Sequence, residues 1–93
     1  MENNEEFLQS RIKLGGLVPG RVCEDQFCLL VEMSSIRSDK MIQALQEYLV
    51  QGQSRIAICE RYGLGSSYFS ISLDRLQRLS HIAAMLSCYY KLN

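Results

Sequence analysis

The stretch from Ser54 to Leu79, SRIAICERYGLGSSYFSISLDRLQRL, decides how the rest of the chain is read. It reads as a helix, a tight glycine turn and a second, longer helix. Ser54 offers its hydroxyl to an orphan N–H at the start of the first helix, and Gly63 ends that helix by entering the left-handed region without steric cost. Ala57, Ile58, Cys59 and Tyr62 are expected on its inward face. Gly63-Leu64-Gly65 is then a short turn with an apolar plug at its centre. Ser66 is expected to cap the second helix, in which Phe69, Ser72, Leu73, Leu76 and Leu79 recur at the spacing of an inward face.

Two helices that cross over so short a turn need a small residue at the crossing, a glycine in the turn and an apolar residue after it. Cys59, Gly63 and Leu64 supply these at the spacing of a helix-turn-helix, with Phe69 as the apolar anchor of the second helix. Helical hairpins with no nucleic-acid role share this pattern, so charge has to discriminate. Arg55, Arg61, Arg75 and Arg78 lie within the unit against only Glu60 and Asp74.

The same asymmetry runs through the whole chain of 93 residues, whose formal net charge is zero. Residues 1–34 carry a balance of −3 and residues 35–93 a balance of +3, so the basic part holds the motif. Such segregation favours a face for a polyanion over ordinary solvated charges. An apolar share of 47% and a charged share of 22% are those of a globular domain. The acidic start MENNEEF and the lack of a long apolar run argue against a signal peptide or a membrane span, and place the protein in the cytoplasm.

Outward from the motif, residues 1–16 read as an acidic arm, either frayed or a short docked helix, and residues 17–93 as a single helical domain. Gly15-Gly16 and Pro19-Gly20 are the strongest breakers and separate the two. Glu24 to Ser34 holds Phe27, Cys28, Leu29, Leu30, Val31 and Met33. Periodicity does not separate buried helix from buried strand there, but no second strand candidate exists to pair with it, so helix is expected. Ser38 caps a support helix, about Asp39 to Gln51, with Met41, Ile42, Ala44, Leu45, Tyr48 and Leu49 on its apolar face and Gly52 at its end. After Leu79, Ser80 is a possible restart or a surface position, and an apolar stripe runs on through Ile82, Ala83, Met85, Leu86 and Tyr89. The fold class is therefore all-α, with four to five helices around a central helix-turn-helix.

An enzyme needs a nucleophile with a base, paired carboxylates, a phosphate loop or a metal cluster, and none is visible. Cys23, Cys28, Cys59 and Cys88 are too scattered for zinc, and His81 is near none of them in sequence. They are expected to be small core residues, with no metal and no cofactor implied.

The run SSIRSDKMIQALQEYLVQGQSRIAICERYGLGSSYFSISLDRLQRLSHIAAMLSCYY, with LVPG upstream, resembles the PapB/FocB-type regulators of fimbrial operons in enteric bacteria. The resemblance covers about Leu17 to Tyr90, and its most specific words are SSIRSDKMI, EYLVQGQSR, CERY and YFS. It implies a small cytoplasmic helix-turn-helix protein that oligomerises on A·T-rich DNA, favours minor-groove contacts and switches an adhesin operon on or off.

Positions assign the roles on DNA. Arg55 stands in the first turn of the first motif helix, which crosses the phosphate backbone in this architecture, and is the best candidate for a phosphate clamp. Arg61, Arg75 and Arg78 are weaker candidates; Arg61 or Arg78 could equally pair with acids such as Glu47 or Asp74. Ser66, Ser67, Ser70, Ile71 and Asp74 are the exposed positions at the start of the second helix, with Tyr68 at its edge. That set lacks Arg, Asn and Gln, the side chains that discriminate bases by paired hydrogen bonds. Weak direct readout is therefore expected, with preference coming from DNA shape and from several subunits bound together. The alternative is a helical protein-interaction module that modulates another regulator without touching DNA.

Overall fold

A computed structural model describes residues 14–90 of the chain. The arm expected over residues 1–16 thus lies mostly outside the described residues. Within them there are four α-helices and no strand: α1 (Glu24–Met33), α2 (Asp39–Leu49), α3 (Arg55–Tyr62) and α4 (Ser66–Leu86), followed by a 3₁₀ turn over Ser87–Tyr90. The chain is all-α, as its periodicity implies.

Each boundary has a local cause. Glu24 and Asp25 stand in the first turn of α1, where negative charge meets the positive end of the helix dipole. At its other end the buried Ser34 accepts from Ile36 N and donates to Val31 O. Ser38 and Ser54 cap α2 and α3 by accepting from Met41 N and Ala57 N. Helix α2 stops at Leu49, ahead of Gly52. Gly63, at φ +64°, terminates α3, and Leu64 N donates to Cys59 O across the turn. Ser66 does not cap α4: Gly65 occupies the cap position with no side-chain bond, and Ser66 is already helical.

The core is built by one face of each helix. Phe27 and Leu30 from α1, Met41, Ala44, Leu45 and Leu49 from α2, Ile58 from α3, and Phe69 and Leu76 from α4 are buried together with Val22 and Ile36. The long apolar run of α1 is therefore split, because Leu29 and Met33 face outward at 63% and 53% exposure. Ile58 alone fills the inward position of α3, whereas Ala57 is exposed and Cys59 and Tyr62 are half-buried. The expectation of cysteines in the core fails more widely: Cys23, Cys28 and Cys88 are exposed. An α-helix offers about one inward position per turn, and bulkier apolar neighbours take it.

Ser80 is neither a restart nor a surface position. It is buried in the middle of α4, which runs unbroken for 21 residues. The reason is the segment before α1, which is strapped across that helix. Gln77 grips it like a second backbone, accepting from Leu17 N and donating to Gly15 O, both at 3.0 Å. His81 Nδ1 lies 2.9 Å from Leu14 O. Gly15 adopts φ +78° so close to α4 that a Cβ there would sit 2.4 Å from Ser80 O.

The strap then turns at Pro19-Gly20, where Arg21 N donates to Val18 O. Gly20 N and Val22 N donate to Leu49 O, covering the open carbonyl end of α2.

Gly15→Ala combines a left-handed backbone with a clash against helix backbone that has no room to move. It is expected to destabilise the fold by about 2 kcal/mol or more. Thermal denaturation of the variant checks this, and an unchanged melting temperature would rule out the close approach.

Candidate nucleic-acid interface

Helices α3 and α4 are joined by three residues, Gly63 to Gly65, so their first and last turns meet at one end of the domain. The outcome is a cleft of about 340 Å³ bordered by Arg55, Ile56, Cys59, Glu60, Gly63, Leu64 and Ser66. Cys59, Gly63 and Ser66, three positions expected from sequence to build a helix crossing or to face DNA, thus share one wall with Arg55 and Leu64.

Arg55 is half-buried and already engaged. Its Nη2 donates to Ser66 O at 3.4 Å and to the Ser70 hydroxyl, and its guanidinium carbon lies 5.2 Å from the ring centroid of Phe69. Beneath it Phe69 is fully buried and meets Tyr48 edge-on, with centroids 5.6 Å apart and planes at 84°. The first turn of α3 is therefore bound to the first turn of α4 through one arginine.

The other arginines diverge. Arg61 pairs with Glu47 of α2, one of the two roles its sequence position allowed. The second carboxylate oxygen of Glu47 accepts from the Tyr62 hydroxyl, so neighbouring residues of α3 clasp one acid. Arg75 donates to the Ser35 hydroxyl at 3.3 Å, and Arg78 borders the same cleft as Arg75, between α4 and the end of α1. Ser67, Tyr68, Ile71, Asp74, Arg75 and Arg78 are all exposed. They follow one another at helical spacing, making a single outward stripe along α4.

Sequence reasoning missed two contributors, Gln77, which fixes the strap, and Ile56, exposed at 73% beside Arg55, whereas Glu47, which occupies Arg61, was among the acids it offered as a partner. Only Ile56 carried a visible signal, an apolar residue on the outer face of an amphipathic helix. Among the described residues no three His, Cys, Asp or Glu side chains converge as a metal site. No described helix is long and apolar enough to cross a membrane.

Residues 1–90 match the model of a protein family described as PapB, adhesin biosynthesis transcription regulatory protein. The chain belongs to the PapB family. It is 49% identical over 74 residues to the Escherichia coli "Major pilu subunit operon regulatory protein PapB", covering 80% of this chain and 71% of that one. To the F1845 adhesin operon regulatory protein of Escherichia coli it is 45% identical over 71 residues, covering 76% and 84%. The crystal structure of E. coli FocB superposes with a TM-score of 0.78 at 42% identity, over 95% of this chain and 99% of that one. The PapB family consists of regulatory proteins of adhesin operons and is not an enzyme family.

The clasp on Glu47 sets a pH dependence. Hydrogen bonding from Tyr62 and, after it, the charge and hydrogen bond of Arg61 hold the Glu47 carboxyl below its ordinary range, against the opposing effect of desolvation. The same bond to Glu47 raises the Tyr62 phenol. A lowered carboxyl stabilises the fold fully above the ordinary glutamate range, and that contribution is lost as pH falls through the lowered value. A raised phenol acts oppositely, contributing below the ordinary tyrosine range and losing its effect as pH rises through the raised value. The melting-temperature gap between the wild-type chain and Glu47→Gln should hold through neutral pH and narrow on acidification. A gap that stays constant down to strongly acid pH would show that Glu47 is not held ionised by these neighbours.

Proposed function

We propose that the chain is a DNA-binding transcriptional regulator of an adhesin operon, acting in the cytoplasm through a helix-turn-helix formed by α3 and α4. The carrying observation is the arrangement at one end of the domain, where Arg55 stands beside the outward stripe of α4. The stripe begins with Ser67, Tyr68 and Ile71, followed by Arg75 and Arg78 farther along the helix. Family membership supports regulation, and the regulators named among the relatives make duplex DNA the natural partner.

Arg55 is the first phosphate contact, Arg75 and Arg78 extend the basic track, and Arg61 contributes least because Glu47 neutralises it. Ser66 borders the cleft, Ser70 holds Arg55 beside it, and Ser67, Tyr68 and Ile71 are the side chains nearest the grooves. None of these is a base-reading Arg, Asn or Gln. Preference for A·T-rich tracts, read as a narrow minor groove and a deformable duplex, follows from that poverty.

So few phosphate contacts per copy leave affinity near the non-specific range, about 10⁻⁴ to 10⁻⁶ M at physiological salt. Linked copies on one duplex supply the remainder. The face that suits self-association is the groove of about 940 Å³ between α1 and α4, whose walls include Leu29, Met33, Ala83 and Ala84. Met85, Leu86, Tyr89 and Tyr90 extend exposed apolar surface beyond it.

Two measurements test this. In a gel-shift titration Arg55→Ala should weaken all sequences alike and reduce the salt slope by about one per bound subunit. Because Arg55 also bonds α4, it should cost about 1 kcal/mol of stability as well. Full affinity with an unchanged slope refutes the phosphate role. For assembly, Met33→Glu should leave helical content intact and shift sedimentation toward monomer. A variant that sediments and protects DNA like the wild-type chain refutes association through this face. Tight binding to a partner protein with no response to duplex DNA would favour an interaction module instead.

A further inference from the structure

Arg55 does not extend into solvent as a phosphate-seeking side chain on a bare helix would. Both of its hydrogen bonds use Nη2, to the Ser66 carbonyl and to the Ser70 hydroxyl, and its guanidinium lies over the face of Phe69. Nη1 and Nε make no hydrogen bond within the described residues, which leaves three N–H donors on one fixed plane. Phe69 has no exposure, so the ring that sets this plane is enclosed by the core.

We infer that Ser70 is a positioning residue for DNA binding, acting by presetting the Arg55 fork rather than by touching DNA. The inference rests on the reading of Arg55 as a phosphate contact. A free arginine surrenders the rotamer freedom of a long side chain when it closes on a phosphate. Here that loss is taken during folding, so docking of the DNA backbone meets a donor set already aimed. Of the three groups that hold Arg55, the Ser66 carbonyl is backbone and is spaced at 3.4 Å, and the Phe69 face restrains the plane without fixing rotation within it. The Ser70 hydroxyl supplies the remaining directional restraint. Alanine at position 70 removes only that hydroxyl, from a half-buried helical site where alanine is itself the best helix former. Binding and folding are thereby separable.

The test is a double-mutant cycle on duplex binding, with Ser70→Ala, Arg55→Ala and both together, each followed by thermal denaturation. Ser70→Ala should weaken binding roughly two- to tenfold per bound subunit, by the entropy of one long side chain, and lower the melting temperature no more than Arg55→Ala does. It should have no further effect once Arg55 is alanine. Ser70→Thr keeps the hydroxyl and should restore affinity. Additive losses mean that Ser70 meets DNA directly and overturn the proposal. So does wild-type affinity of Ser70→Ala when Arg55→Ala is impaired. If Arg55→Ala alone binds like the wild-type chain, the underlying reading of Arg55 fails first, and the positioning role falls with it.

Discussion

The burial of Phe69 is the constraint on which the rest of the domain depends. A ring with no exposure at the first turn of α4 must be covered on every side. Tyr48 of α2 covers one side edge-on, and Arg55 of α3 covers another with its guanidinium. This one side chain therefore brings three helices to a common point and sets the direction in which α4 leaves it. Everything along α4, from the serines at its start to the buried Ser80 beneath the strap, inherits its place from that anchor.

Charge is arranged to suit the same geometry. Arg61 is drawn back onto α2 by Glu47, and Arg75 is tied to Ser35 near the end of α1. The net neutrality of the chain thus hides a local order in which acids occupy some bases and leave others along the outer edge of α4.

Much of the fold was legible because helix punctuation is local chemistry. Ser38, Ser54 and Gly63 act in the structure as their side chains dictate, and Phe69 is the anchor its spacing implies. What misled were residues whose fate depends on partners far along the chain. Gly15 reads as a breaker, yet its lack of a side chain serves contact with α4 more than sixty residues away. Ser80 reads as polar surface for the same reason, since the backbone that covers it is invisible from its own neighbours. The cysteines read as core by residue type, but helix geometry gave the inward positions to Phe27, Leu30 and Ile58. The helix, glycine turn and second helix of α3 and α4 were legible and the pinning of Arg55 was not, because a hydrogen bond between two surface-type residues leaves no periodic trace.

Gly20 and Gly52 meet backbone to backbone: a Cβ on either would lie 3.2–3.3 Å from the Cα of the other. Gly20 belongs to the strap, and Gly52 to the connection that carries the chain from α2 into Arg55's helix. Gly20 N and Val22 N also close the carbonyl end of α2. The α2 terminus, the strap and the linker into α3 consequently form one cooperative unit, since opening any of them strips hydrogen bonds or packing from the other two. Local breathing at the start of the helical hairpin is thereby coupled to a segment that precedes it by more than thirty residues, and the rigidity of the end where α3 begins is set in part by that segment.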